Sequence, residues 1–371
     1  MRRCWVSVDA TLRYKILFTV EVFELNCRRS LWIALVSVLA LDIGGANIKA
    51  ADGLEYLTLV PFALWKEPQC LAQKLGQIIS TAPPHELLAV TMTGELADCF
   101  ETKTDGVQFI LDAVEQACRT EVRVYLADGS YRSVEEARRR PYLTAASNWH
   151  ALARFCCRFV SRGTAILVDV GSTTCDVIPL NSEKVLAKGT TDTERLLYQE
   201  LVYTGVQRTP ICGIADNITY HGRRCAIANE WFATSWDVYL MLGQLPEQHD
   251  RCDTADGRPA TRAAAHRRLA RVICADVNSF SPDDAERMAT ELAARQARQI
   301  GLAIQKVQER CGNQVTACIL SGSGEFLASQ AIRISGHQGI VIRWEEKVGS
   351  RVSPCATAHA LAVLTRESLE T

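Results

Sequence analysis

From Val36 onward, short and nearly continuous apolar runs alternate with segments of helical period, the pattern of an α/β domain with a mixed or parallel sheet. The runs VSVLALDIG, NIKAADG and EYLTLV predict three strands of a meander. Residues 66–80 then predict a helix, LLAVTMTG a buried strand, residues 103–118 a second helix and EVRVYLA another strand. SNWHALARFCCRFV predicts a helix leading into a second strand set that begins with AILVDVGSTTCDVIPL. Further on, DDAERMATELAARQARQIGLAIQKVQERCG predicts one long helix, with Ser281 or Asp283 near its cap and Gly312 closing it. The tail segments VTACILSGSG, GIVIRWEE and SPCATAHALAVLTRE predict strand, strand and helix.

One unit occurs twice: a strand ending in Asp, a Gly turn and a returning strand, at residues 39–50 and again at 166–179. A repeat at so large a separation predicts two similar lobes, since solenoid periods are about 20 to 50 residues. The expected division is a first lobe over 36–162 and a second over 163–371. Residues 212–277, polar and rich in Gly, Asp and Arg, are expected to be an insertion carrying long functional loops. The first 35 residues differ, with six basic against three acidic side chains and no clear period. Their apolar run LWIALVSVLAL imitates a secretory signal, but it starts about thirty residues in and is shorter than the ~20 residues a bilayer requires. The expectation is a non-native or disordered extension, with the natural protein starting near Val36 or Val38.

Composition narrows the function. In 371 residues, 41 basic side chains face 42 acidic ones, a net charge of −1, without the basic excess that phosphate contacts to a nucleic acid require. Hydrophobic residues at 48% and charged residues at 22% exclude a disordered chain or a coiled coil. The 15 cysteines are scattered, with no C-x-x-C pair, and residues such as Cys118, Cys274 and Cys318 lie in apolar runs. They are expected to be reduced core residues of a cytoplasmic protein with no membrane partner.

Three turns carry chemistry. In Asp42-Ile-Gly-Gly-Ala-Asn-Ile-Lys49 a strand delivers a carboxylate, Gly44 and Gly45 let backbone N–H groups approach a phosphate, and the return strand aims Lys49 at the same point. Asp169-Val-Gly-Ser-Thr-Thr-Cys-Asp176 repeats the design: Gly171, Ser172, Thr173 and Thr174 offer backbone and hydroxyl donors, and Asp169 can hold magnesium through water. Ser321-Gly322-Ser323-Gly324-Glu325 is a Gly-rich strand-to-helix turn, where an anion can meet free N–H groups. Each turn alone also fits an ordinary loop.

In this order the three motifs resemble the phosphate-1, phosphate-2 and adenosine loops of the actin, sugar-kinase and heat-shock chaperone superfamily, and within it the hydantoinase/oxoprolinase-type branch. MTGELADCF, ASNWHALA, DTADGRP and AAHRRLARVICAD resemble the subfamily of tetrahydromethanopterin-linked one-carbon-transfer pathway proteins, which includes archaeal enzymes of methanofuran synthesis. The resemblance covers about residues 37–366 and implies a two-lobed actin-like ATPase (ribonuclease H-like duplicated) α/β fold, closing over a phosphate or diphosphate ligand and Mg2+. It implies Asp42 and Asp169 as metal-shell carboxylates. The phosphate cradle it implies comprises Gly44, Gly45, Asn47, Lys49, Gly171, Ser172, Thr173 and Thr174, with Gly322, Ser323 and Gly324 as the third loop. Where many relatives carry Thr or Ser, this chain has Ala46 and Asn47, so one hydroxyl contact to phosphate is missing and ATP hydrolysis loses support.

The methanofuran-synthesis members imply a transferase joining a furanylmethyl diphosphate to the phenol of a glutamyl-tyramine, with release of pyrophosphate. Such a reaction needs a base, and Glu95, at the expected carboxyl end of a strand, is the candidate beside Asp98. Its alternative is a solvated or helix-capping carboxylate. Asp253 and Asp256 form an acidic pair that can hold a second magnesium, with Arg258 to clasp an anion; an exposed turn is the alternative. His249 with Cys252, or His221 with Cys225, offers too few ligands for a transition-metal site. Asn148 is expected to be an N-cap. Two further functions stay open: an ATP-dependent hydrolase of a cyclic amide, and a non-enzymatic nucleotide-responsive scaffold. Homo-oligomerisation stays open as well.

Overall fold

The computed structural model describes residues 36–312, 315–349 and 351–370, so the expected N-terminal extension lies outside the described residues. Six strands form the first sheet: β1 (Val38–Gly44), β2 (Asn47–Ala51), β3 (Leu57–Pro61), β4 (Leu87–Thr93), β5 (Glu121–Tyr125) and β6 (Tyr131–Arg132), in the order β3-β2-β1-β4-β5-β6. β1 runs antiparallel to β2 and parallel to β4. The first six residues of β1 are all buried, as expected of a central strand covered on both faces.

The second sheet repeats this winding. β7 (Thr164–Val170), β8 (Cys175–Leu180) and β9 (Leu201–Val202) form its meander; β10 (Asn217–Tyr220) and β11 (Arg223–Ala226) form a separate hairpin. β12 (Val315–Ser321) and β13 (Ile340–Arg343) complete the order β13-β12-β7-β8-β9. Counted from its own first strand, each sheet therefore reads 3-2-1-4-5, an antiparallel meander followed by parallel crossovers, and the first sheet adds the short antiparallel β6 at its edge. This is the duplicated, two-lobed α/β fold of the actin-like class.

Helices α1 (Leu71–Thr81) and α2 (Lys103–Ala117) cover the first sheet, burying Leu71, Leu75 and Ile78 from one and Val107, Ile110, Leu111 and Val114 from the other. Each such side chain contributes about 1.5–3 kcal/mol of burial. A capping box between Thr102 and Asp105 starts α2. α3 (Asn148–Cys156) packs on β8 of the second sheet. The long α4 (Pro282–Arg310), capped by Ser281 with Asp284, and α5 (Glu325–Ile334) build the second core. Gly312, at φ +67°, follows the end of α4.

Two expectations are corrected. The C-terminal helix α6 (Ala356–Glu370), assigned to the second lobe, lies against β1, β2 and β4 of the first sheet and against α3, so the chain returns to the first lobe. Its apolar stripe joins an inter-sheet core that no local pattern announces. The stretch 212–277 is also less loop-like than its composition predicts, because the helix Ser235–Met241 within it is wholly buried against α4. Cys118 and Cys318 are buried as expected, but Cys274 is exposed, with φ +57°. Among the described residues, no helix is long and apolar enough to cross a membrane.

Candidate functional site

The β1–β2 and β7–β8 turns carry the two expected loops. Asp42 is buried, and its Oδ2 accepts from Lys49 Nζ at 3.1 Å, from Asn148 Nδ2 at 3.5 Å and, closest, from the Thr357 hydroxyl. Asp42 Oδ1 is buried with no partner. Thr357 lies at the start of α6, so the returning helix supplies part of this site. Burial would lower the proton affinity of Lys49, but the nearby charges of Asp42 and then Asp169 outweigh it and hold the ammonium above its ordinary value. Lys49 thus bonds the carboxylate of one lobe and feels the charge of the other.

Asp169 also keeps a buried, unpartnered Oδ1. Burial, reinforced by Asp176, raises its pKa to about 6 against the pull of Lys49. The free Oδ1 atoms of Asp42 and Asp169 fit a hard divalent cation such as Mg2+, held directly or through water. Among the described residues no group of three or more His, Cys, Asp or Glu side chains converges on a ready-made cation site.

The glycines divide into two kinds. A Cβ on Gly45 would find nothing nearer than Gly94 Cα at 4.0 Å, and one on Gly171 nothing nearer than Thr174 O at 3.6 Å, so both turns present open backbone to the cleft. Gly44 is tighter, because a Cβ would come within 2.9 Å of Asn47 O. Ser172 and Thr173 place their hydroxyls 3.4 Å apart. Their turn is braced from behind: Val206 N–H donates to Gly171 O, and Gln207 and Arg208 N–H donate to Ser172 O, each at 3.0 Å. Thr174 leads into β8.

The third loop departs from expectation. Gly322 has φ +88°, and a Cβ there would sit 2.3 Å from Val170 O; Gly324 N–H donates to Val170 O at 2.9 Å. These glycines pack the loop onto the end of β7, so the Gly324 N–H is not free for an anion. Ser323 is exposed.

Glu95, just past β4, is buried, which excludes the solvated alternative, and its Oε2 lacks a partner. Burial, with help from Asp192, raises its pKa to about 7. Gly106 of α2 is obligatory beside it, since a Cβ would come within 2.1 Å of Glu95 O. Asp98 is exposed. Asp253 and Asp256 do not form the expected acidic pair. Arg251 binds Asp253 through Nε at 2.8 Å and Nη2 at 2.6 Å, while the buried Arg268 bridges Asp256 at 2.9 Å and Asp237 at 2.7 Å. Burial would raise Asp256, but Arg268 outweighs it, so this carboxylate is a fixed counter-ion. Asn148 is not a cap: Ser147 holds the N-cap position, with its hydroxyl on Tyr125 O at 2.8 Å, which leaves the Asn148 amide for Asp42.

The sequence reading assigned no role to Thr357, Asp176 or Arg195. Arg195 is buried, pairs with Asp176, and stacks 4.3 Å over Trp149 of the first lobe. An unpaired Asp opposite Asp169 in the β7–β8 hairpin was the available signal that a cation had to be supplied from elsewhere.

Duplicated sheets whose matching carboxylate turns both act on one partly buried lysine define an actin-like α/β protein. The hydantoinase/oxoprolinase family model matches residues 86–367, and the chain belongs to that family. It is 33% identical over 338 residues to the (4-{4-[2-(gamma-L-glutamylamino)ethyl]phenoxymethyl}furan-2-yl)methanamine synthase of Methanocaldococcus jannaschii, covering 90% of this chain and 99% of that one. The protein of the same name from Methanococcus vannielii is 32% identical over 216 residues, 57% of this chain and 96% of the relative. Among solved structures, the inorganic polyphosphate/ATP-glucomannokinase of Arthrobacter sp. strain KM matches with a TM-score of 0.42 and 12% identity, over 91% of this chain and 100% of that one.

Proposed function

We propose that the protein is a transferase of methanofuran-type cofactor biosynthesis, joining a furanylmethyl diphosphate to the phenol of a glutamyl-tyramine-type acceptor and releasing pyrophosphate. The observation that carries this reading is the near full-length likeness to a synthase whose named product contains a phenoxymethyl-furan ether. In the proposed step the phenol oxygen attacks the furanylmethyl carbon, and the carbon–oxygen bond to the diphosphate breaks with its electron pair on pyrophosphate. The phenolic proton passes to a carboxylate.

The residues suit these demands. Asp42 and Asp169 each offer a free buried oxygen for Mg2+, which when bound would neutralise charge on the leaving diphosphate. The open turns at Gly45 and Gly171, with the Ser172 and Thr173 hydroxyls, cradle the phosphates, and Lys49, bonded to Asp42, adds an ammonium at the first turn. Glu95, titrating near 7, is poised to accept the phenolic proton.

The test is to incubate purified protein with Mg2+, a furanylmethyl diphosphate and the phenolic acceptor, following ether and pyrophosphate by mass spectrometry. Both products in equal amounts are expected. ATP consumption coupled to opening of a cyclic amide, without ether, would replace this reading with an ATP-dependent hydrolase.

A further inference from the structure

A recess of about 170 Å³ is walled by Tyr142, Ala145 and Ala146 of the first lobe and by Thr191, Asp192 and Thr193 of the second, and Asp192 on its wall pairs with Arg195, the partner of Asp176. At one edge Lys103 Nζ meets Asp192 Oδ2 at 3.1 Å, an ion pair between the lobes with both side chains about one-fifth exposed. Glu95 is electrostatically coupled to both of these residues, and its Oε2 is buried without a partner. Ala146 holds φ +47°, a left-handed conformation that is costly for a non-glycine residue and persists where the surroundings enforce it.

The walls decide what can enter. Methyl groups and the Tyr142 ring supply apolar contact, and the charged groups of the lining are Lys103 and Asp192, paired with each other, while Glu95 is held by the backbone of Ala146. With its one ammonium already paired, the lining disfavours an anion such as diphosphate. The volume is below the ~300 Å³ at which sites for drug-sized ligands begin, so it suits a single ring.

We propose that this recess is the acceptor site, taking a 4-alkylphenol ring with its hydroxyl toward Glu95 and Lys103 and its alkyl chain leaving past Thr193. The inference rests on the transferase reading above and specifies which end of the acceptor is gripped. Glu95 receives the proton, the Lys103 ammonium stabilises the phenolate oxygen as it forms, and Tyr142 packs on the ring. Because the walls come from both lobes, the site is complete only when the lobes are together.

The probe is N-acetyltyramine, titrated into the full chain with Mg2+ and pyrophosphate and read by saturation-transfer NMR. Thr193 is exposed, so Thr193→Trp is expected to fold and to fill the mouth, weakening N-acetyltyramine at least about tenfold while pyrophosphate affinity stays unchanged. Tyr142→Ala, also at an exposed position, is expected to weaken it about three- to tenfold. Absence of N-acetyltyramine binding to the unaltered protein, or equal binding by both variants and the unaltered protein, overturns the proposal. Binding that is lost in Thr193→Trp while the unaltered protein forms no ether would keep the aryl site and reject the transferase reading.

Discussion

The two carboxylate turns share one hairpin and one register, yet they solve the same electrostatic problem differently. In the first lobe Asp42 stands opposite Lys49; at the equivalent place in the second, Asp169 stands opposite Asp176. The first hairpin thus contains its own cation and adds Thr357 and Asn148 as donors to the same carboxylate. The second places two acids side by side and takes its cation from Arg195, which neutralises Asp176 and leaves Asp169 to be shared with Lys49 across the cleft. Duplication preserved the backbone and let the charges diverge. One lysine now serves two carboxylates, so the site depends on both lobes.

Removing each cation in turn separates the two hairpins. Arg195→Met leaves Asp176 buried without a counter-charge and is expected to cost about 3–5 kcal/mol in urea unfolding, with much of the loss recovered by adding Asp176→Asn. Lys49→Met should cost less, about 1–3 kcal/mol, because Asp42 keeps Thr357 and Asn148. Equal losses would show that the second hairpin depends on its imported cation no more than the first depends on its own. Next in size, Asp42→Asn is expected to lower kcat for ether formation on the order of 10²–10³-fold and to abolish Mg2+-dependent pyrophosphate binding by calorimetry.

The difference between the lobes also explains what was legible in the sequence. Both Asp-Gly turns, the strands feeding them and the capped helix at Ser281 could be read because each is local: alternation, a turn residue, a cap. Thr357 was not, since it reaches Asp42 from 315 residues away, and nothing in SPCATAHAL marks one hydroxyl as a partner. Arg195, only 19 residues from Asp176, was hidden because nothing local pairs the two, although the uncompensated Asp176 indicated that a partner had to exist. In the SGSG turn the glycine pattern alone does not distinguish open backbone from the tight packing that engages the Gly324 N–H. Asp253 and Asp256 were read as a metal pair because their arginine partners include Arg268, which lies on a later helix.

Glu95 of the first lobe has its proton affinity raised partly by Asp192 of the second. Its pKa is about 7 in the folded protein against an ordinary 4.5, so the folded state binds the proton more tightly. That contribution to stability is fully present below about pH 4.5 and is lost as pH rises toward 7, at most about 3 kcal/mol. Glu95→Gln is therefore expected to gain stability relative to the unaltered protein between pH 5 and 8, measured as a widening gap in urea midpoints. In kcat/KM the unaltered enzyme should show an acid limb near pH 7, and the variant should lose activity along with that limb. A retained limb would assign the proton to another group.

The smallest expected effect on stability separates cradle glycines from packing glycines. Gly322→Ala forces a left-handed φ on a residue with a Cβ and drives that atom to 2.3 Å from Val170 O and 2.8 Å from Asp169 Oδ1, for a cost of about 1–3 kcal/mol. Gly171→Ala meets nothing nearer than 3.6 Å and Gly45→Ala nothing nearer than 4.0 Å, so each should leave the unfolding free energy within about 0.5 kcal/mol. Each added methyl nevertheless occupies space where a phosphate oxygen would approach, and pyrophosphate should bind about tenfold more weakly by calorimetry. Loss of affinity in Gly171→Ala alone would place the phosphate in the hydroxyl-lined turn of the second lobe. Loss in Gly45→Ala alone would place it beside Lys49, and equal losses would mean that one diphosphate spans both turns.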